Sequence, residues 1–268
     1  ERRNQSDQIK IVSRYDIILI LEVTDVKQQA FLKLLEQLNK SLDISLKIRH
    51  VPSSRLGMYK QVSIFFRRDD VVQVKDIYQY EDNQAGDEDA FSREPFVVKF
   101  SSPNTVIKEF VLIPVHTKPE DSVKEIDELY DVFLAVKKKW KTEKIMFLGD
   151  FNADGSYVSG RRMKNIRLRS NTNFHWLIGD NVDTTTNSGN DNSYDRIVIH
   201  EELYKMIVPG SAKSFNFQEA FCLTHEEALD VSDHYPVEVE LKTDLTVFLF
   251  VFLKKKNYQK KKKKKNFV

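Results

Sequence analysis

Apolar residues in this chain recur with two different periods, and their succession sets out its elements. Residues 15–21 form an almost unbroken apolar run that reads as a buried strand ending at Glu22. Helix-like spacing precedes it over residues 9–14 and follows it over 26–39, where Phe31, Leu34, Leu35 and Leu38 share one face. Residues 62–66 and 71–80 alternate with period two, so they read as paired strands with 67–70 as their turn. After an acidic loop at 81–89, further strands are expected at 96–100 and 110–115, the second ending at His116. The clearest helix is 122–140. Val123, Ile126, Leu129, Tyr130, Phe133 and Val136 keep its period, and Lys137, Lys138 and Lys139 suit its C-terminal end.

Residues 144–148 read as another buried strand, after which Gly149 lets the chain turn so that Asp150 and Asn152 project from its end. A polar loop at 180–192, a strand at 194–200, a loop with a short helix at 221–231 and a final alternating strand at 236–242 complete the pattern. Strands outnumber helices, and the helices fall between groups of strands. The expected fold is α+β, a two-sheet sandwich flanked by helices rather than a doubly wound parallel sheet. No repeat or linker interrupts the chain before Lys242, so residues 1–242 read as one domain. Residues 243–268 read as a tail, apolar at first and then rich in lysine, that is expected to be disordered.

Charge changes this picture. The formal net charge is +2, but nine lysines within residues 254–265 leave the remainder near −7. An acidic body excludes a uniformly basic nucleic-acid binder. If the body meets a polyanion, local arginines and metal ions must offset the repulsion. The single cysteine, Cys222, excludes an intramolecular disulfide. The polar opening Glu1-Arg2-Arg3-Asn4 does not read as a signal peptide, and the apolar run at 245–253 is too short to span a bilayer as a helix. Asn4 and Asn39 stand in glycosylation sequons, a pattern common by chance. The lysine run reads as a polyanion tether or a nuclear targeting signal, or more plainly as a solvated run.

The candidate chemistry lies at strand ends: Glu22, His116, Asp150 with Asn152, Asp195, and Asp233-His234. A sandwich brings strand ends of both sheets to one rim, so these residues are expected around one cleft. Two carboxylates and an asparagine suit Mg²⁺, a hard cation that keeps part of its water. Two histidines, each with a carboxylate available, suit general acid–base work on a phosphodiester. Taken singly, each residue has a plainer reading as a turn aspartate or a satisfied histidine.

Five motifs, in order, carry a resemblance. They are Leu19-Ile20-Leu21-Glu22-Val23, Phe91-Ser92-Arg93-Glu94-Pro95, Gly149-Asp150-Phe151-Asn152-Ala153-Asp154, Ser193-Tyr194-Asp195-Arg196-Ile197-Val198 and Ser232-Asp233-His234-Tyr235-Pro236-Val237-Glu238. Over about residues 9–242 they resemble the deoxyribonuclease I family of the endonuclease/exonuclease/phosphatase fold, and Phe174-His175-Trp176-Leu177-Ile178 resembles its deoxyribonuclease I-like branch. The resemblance implies a four-layer α/β/β/α sandwich of two mixed sheets. It also implies a monomeric endonuclease dependent on Mg²⁺ or Mn²⁺, which cuts double-stranded DNA to 5′-phosphate and 3′-hydroxyl ends.

On this resemblance, Glu22 and Asp150 match metal-site carboxylates, and Asn152 matches an amide that contacts the scissile phosphate. His116 and His234 match the histidine pair, with Asp195 partnering the second and Asp233 its neighbour. Arg93 and Tyr59 match residues that contact DNA. Asp183 and Thr185 resemble one structural Ca²⁺ loop; Asp82, Asp89, Phe91 (through its carbonyl) and Glu94 resemble another. The family is largely secreted or held in the endoplasmic reticulum.

The chain also departs from the family pattern. Gln61 stands where the family has a glutamate that orients the first histidine, which predicts a poor nuclease. The opening strand, whose asparagine helps hold the metal, has no counterpart before Glu1. Gly155 and Asn192 stand at the ends of a family disulfide, and Thr24 replaces an arginine. The alternative is therefore a catalytically impaired member that binds DNA or a protein partner. Phosphomonoesterase or sphingomyelinase chemistry fits less well, because Arg93 and Tyr59 match the DNA-contact motifs.

Overall fold

The computed structural model describes residues 2–24, 29–41, 48–54, 56–57, 61–83, 89–103, 105–189, 191–242 and 247–254. The chain begins one sheet with β1 (Ile17–Val23), β2 (Ile48–Pro52) and β3 (Val62–Arg68). It then crosses to a second sheet for β4 (Gln73–Gln79), β5 (Phe96–Ser102), β6 (Lys108–His116), β7 (Ile145–Asp150), β8 (Phe174–Trp176) and β9 (Asp195–His200). It returns to the first for β10 (Lys213–Ser214), β11 (Val237–Leu241) and β12 (Val247–Lys254). The strand orders are β10-β11-β12-β1-β3-β2 and β4-β5-β6-β7-β9-β8. Both sheets are mixed: β1 runs parallel to β12, and β6 parallel to β7.

Side-chain alternation in the second sheet shows why it lies inside a sandwich. Successive residues of a strand face opposite ways. Phe110 and Leu112 of β6, Met146 and Leu148 of β7, and Ile197 and Ile199 of β9 join the larger core, which they share with β1 and β3. Val111, Ile113, Val115, Ile145, Phe147 and Val198 join a second core with Ile126, Leu129 and Phe133. Those three belong to a long helix that covers the sheet's outer face.

The helices, in chain order, are α1 (Arg2–Val12), α2 (Gln29–Ser41), α3 (Ser122–Trp140), α4 (Gly160–Met163), α5 (Arg167–Ser170), α6 (Glu201–Tyr204), α7 (Phe217–Ala220) and α8 (His225–Val231). Helix α3 covers the second sheet, while α1 packs with α2 and α8 on the first. The fold is the expected α+β sandwich of two mixed sheets with helices. Asn39 bonds both backbone groups of Ile48 through its side chain, at 2.7 and 3.1 Å, so that sequon asparagine is occupied.

Two expectations change. Residues 62–66 and 71–80 do not pair: β3 lies beside β1 and β2, while β4 pairs with β5 in the other sheet. Their period of two marks each as a strand but carries no information about its partner. Between them Val71 and Val72 are buried, and Ser102 Oγ donates to Val71 O at 2.9 Å, so the segment is a buried crossover and not a hairpin turn.

Residues 243–268 were expected to be a tail, yet Val247–Lys254 forms β12, inserted between β11 and β1. Its run of seven apolar residues has the composition of an interior strand. Residues 255–268, where the lysine-rich part of that expectation falls, lie outside the described residues.

Candidate active site

Glu22 lies near the end of β1, His116 at the end of β6, Asp150 at the end of β7 and Asp195 at the start of β9. Register brings three of them into line: His116 pairs with Asp150, and Asp150 with Asp195. Gly149 has a structural reason to be glycine. Its φ is +132°, and a Cβ there would sit 2.2 Å from Val115 O, a separation no side chain tolerates. Leu21, next to Glu22, packs against the same point, its Cδ1 lying 3.2 Å from where that Cβ would be. The backbone is also strained at the rim. Glu22 (φ +56°) and Asn152 (φ +45°) both adopt the left-handed region that side chains disfavour, which is typical of functional positions.

His116 Nε2 lies 3.0 Å from Glu22 Oε1. Burial lowers the histidine's pKa, and the Arg93 charge acts the same way; the Glu22 hydrogen bond and the charges of Asp150 and Glu22 oppose them. Burial prevails, so the ring is biased toward its neutral form. Asp150 Oδ1 accepts from Asn152 N at 2.9 Å, and Asn152 Nδ2 donates to Thr117 O at 3.0 Å, which fixes the amide beside the carboxylate.

Gln61 lines one small cavity with Glu22, Arg93 and His116. Its Oε1 accepts from Arg93 Nε at 2.8 Å, and Arg93 Nη1 donates to His116 O at 3.0 Å. Residue 61 therefore acts on His116 at one remove, through a guanidinium and the backbone, while Glu22 holds the ring. A glutamine acceptor carries no charge with which to hold the imidazole, and Arg93 is the donor it meets.

His234 Nδ1 lies 2.6 Å from Asp195 Oδ2, both residues being buried. Burial pushes the Asp195 carboxyl up, and His234 opposes the shift. The pair is held by a neighbouring loop. Thr184 Oγ1 accepts from Asp195 N at 3.1 Å, Tyr235 N donates to Thr184 O, and Thr185 forms a bridge with His234. Asp233 flanks the pair, its carbonyl accepting from Thr186 N at 3.0 Å.

Thr184 was not anticipated from sequence, nor was Arg196. The Arg196 side chain is fully buried and donates to Ser193 O, Ile178 O, Asp180 Oδ1 and Ala153 O, tying the loop after Asp150 to the strand that carries Asp195. An arginine beside an aspartate in an apolar run was the only signal available for it.

The residues expected around metals divide into groups. Glu22 and Asp150 both act on His116. No group of three or more His, Cys, Asp or Glu among the described residues is arranged to hold a metal. That donor set still fits Mg²⁺, which binds through one or two carboxylates and retains water. Asp183 Oδ1 accepts from both Thr185 N and Thr185 Oγ1, at 2.9 and 3.0 Å. Asp82 Oδ2 accepts from Phe91 N at 2.9 Å, while its buried Oδ1 has no hydrogen-bond partner among the described residues. Asp89, Phe91 and Glu94 line one cleft with Gly57. Tyr59 lies outside the described residues.

Comparison with known proteins agrees with this geometry. A profile of the Endonuclease/Exonuclease/phosphatase family matches residues 5–234. The chain is 49% identical over 247 residues to deoxyribonuclease gamma of Homo sapiens, covering 91% of this chain and 81% of that protein. It is 50% identical over 238 residues to deoxyribonuclease-1 of Oryctolagus cuniculus, covering 87% and 83%. Among solved structures it is similar to the endonuclease/exonuclease/phosphatase from Bacteroides vulgatus (TM-score 0.56, 14% identity, 90% of each chain). It is also similar to D. rerio TDP2 complexed with single strand DNA product (TM-score 0.55, 13% identity, 87% and 90%). At such identities the two structures speak only for the fold.

Proposed function

Since the chain belongs to the endonuclease/exonuclease/phosphatase family, in its deoxyribonuclease I branch, we propose that it is a divalent-metal-dependent DNA endonuclease leaving 5′-phosphate and 3′-hydroxyl ends. The observation that carries this is the pairing of two histidines with two carboxylates, His116–Glu22 at 3.0 Å and His234–Asp195 at 2.6 Å, on either side of Asp150.

Glu22 and Asp150 would hold Mg²⁺ or Mn²⁺, which supplies charge stabilisation to the phosphorus centre when bound. His116, kept neutral by burial, is in the form that accepts a proton from the attacking water. His234 donates through Nδ1 to Asp195, which fixes its tautomer and supports its charged form, the form that delivers a proton to the departing 3′ oxygen. Asn152 is held to meet the scissile phosphate, and Asp233 flanks the histidine. Arg93 and Tyr59 are assigned to DNA contact. Structural Ca²⁺ is assigned to Asp183 with Thr185, and to Asp82, Asp89, the Phe91 carbonyl and Glu94. The buried Asp82 Oδ1, without a hydrogen-bond partner among the described residues, supports the second of these. The substrate is double-stranded DNA and the working form a monomer, in the secretory route by family likeness. No helix among the described residues is long and apolar enough to cross a membrane.

One observation favours a second reading, an impaired member that binds DNA or a protein: Gln61 is engaged by Arg93 and not by His116. Plasmid nicking with and without Mg²⁺ separates the two. The nuclease reading expects metal-dependent nicking that is abolished in His116→Ala and Asp150→Ala. Wild-type nicking retained by Asp150→Ala would remove that residue from the metal site, and a wild type inert in Mg²⁺ and Mn²⁺ would leave the binding module.

A further inference from the structure

The segment from Asp154 to Asp180 contains no acidic residue between those two, but it holds five cations within residues 161–169. Two of the five are consumed by acids. Arg167 pairs with Asp127 at 2.8 Å, Glu128 at 3.0 Å and Asp131 at 2.7 Å, and Arg169 pairs with Asp180 at 2.7 Å. Arg161, Arg162 and Lys164 are exposed, and none has an ion-pair partner among the described residues.

Their footing is rigid. Met163, Ile166 and Leu168 are buried in the core under α3, and Arg167 locks α5 to that helix through Asp127, whose Oδ1 also accepts from Arg167 N at 2.7 Å. Buried apolar and exposed basic positions thus interleave over α4 and the turn after it, forming a fixed basic ledge on a body whose charge is otherwise acidic.

The ledge follows the cleft in the chain. Residues 151–159 lead directly from Asn152 to α4. Within them the Tyr157 ring lies 5.5 Å from that of Tyr194, which lies 6.2 Å from the His234 ring.

We propose that Arg161, Arg162 and Lys164 bind the phosphate backbone of duplex DNA flanking the bond held in the cleft, so that the protein engages a longer duplex than its catalytic residues touch. This rests on the nuclease reading above and deepens it. Three cations without internal partners lose no existing ion pair on meeting phosphate, and each neutralised phosphate releases counterions. The ledge is also the local charge that an acidic body needs in order to approach a polyanion.

The test uses the full chain in Ca²⁺ without Mg²⁺ or Mn²⁺, on phosphorothioate-linked DNA that resists cleavage. Binding of a two-turn DNA duplex is measured by fluorescence anisotropy across a salt series. Three proteins are compared: wild type, the triple variant Arg161→Ala/Arg162→Ala/Lys164→Ala, and the conservative variant Arg161→Lys/Arg162→Lys.

At about 0.9 per phosphate contact, the triple variant is expected to lower the slope of log K against log salt by about two to three. The lysine variant is expected to keep the wild-type slope, and both are expected to melt at the wild-type temperature. Equal slopes for wild type and triple variant overturn the ledge, and if the wild type still nicks plasmid the nuclease reading stands without it. A wild type that neither binds nor nicks DNA overturns both. A lysine variant that falls as far as the alanine variant also overturns the proposal, because charge would then not be what binds.

Discussion

Replacing Gln61 by glutamate tests how charge reaches His116. Gln61 is 9% exposed and accepts from Arg93 Nε at 2.8 Å, and Arg93 donates in turn to the His116 carbonyl at 3.0 Å. A carboxylate of nearly the same shape would turn the first contact into an ion pair. At a charge separation of about 4 Å and an effective dielectric of about 20, the attraction is about 4 kcal/mol. Burying the new charge offsets most of that, leaving ~1 kcal/mol of stabilisation. For a chain of this size the melting temperature should rise by about 2–4 °C.

The rate effect follows from the same geometry. The Arg93 charge is among the causes lowering the His116 pKa, so neutralising it should move that pKa up and leave less of the neutral, proton-accepting ring at low pH. A carboxylate acting on the imidazole directly would be worth roughly 10² to 10⁴. The assay compares plasmid nicking by wild type and Gln61→Glu in one Mg²⁺ buffer from about pH 5 to about pH 9, with melting curves alongside. A loss below about tenfold is expected on the acidic side, with the limb governed by His116 moved to higher pH. A gain of a hundredfold or more with no movement of that limb would refute the reasoning, because residue 61 would then be acting on the ring itself. An unchanged melting temperature would refute the Arg93 ion pair.

Three further outcomes are expected. Burial raises Glu125 to about 7 against its hydrogen bonds from Lys118 N and Ser92 and the Arg93 charge, so the folded state favours its neutral form. That stability is present below the unfolded value near 4.5 and is lost as pH rises through about 7, so Glu125→Gln should flatten the melting-temperature profile between them, with a gain on the order of 2 kcal/mol at the alkaline end. Equal profiles would show that Glu125 is ionised throughout. Ending the chain after Lys254 should leave a cooperative melt, whereas ending it after Lys242 removes β12 from between β11 and β1 and should abolish or greatly broaden it; two equal melts would place β12 outside the stable sheet. Gly149→Ala should destabilise by on the order of 3 kcal/mol or more, since its Cβ meets Val115 O at 2.2 Å in a left-handed backbone. A melting shift of only a degree or two would contradict that close approach.

Local periodicity determined much of this protein before any tertiary contact. Alternation along β5, β6, β7 and β9 says that two faces are buried, and the long amphipathic run of α3 says which element covers one of them. The polar residues that break those runs mark strand ends, and strand ends in a sandwich share a rim, so Glu22, His116, Asp150 and Asp195 could be grouped from sequence. Partnership could not. A period of two is the same whichever strand lies alongside, so β3 and β4 look like a hairpin and belong to different sheets. The lysines after Lys254 obscured an interior strand, because its place depends on β1 and β11, more than two hundred and six residues away respectively by the nearer ends. Side-chain competition is also invisible in one dimension. Whether Gln61 meets His116 or Arg93, and whether Arg196 and Thr184 hold the loops around Asp195, is decided by which donors the packed chain brings within about 3 Å.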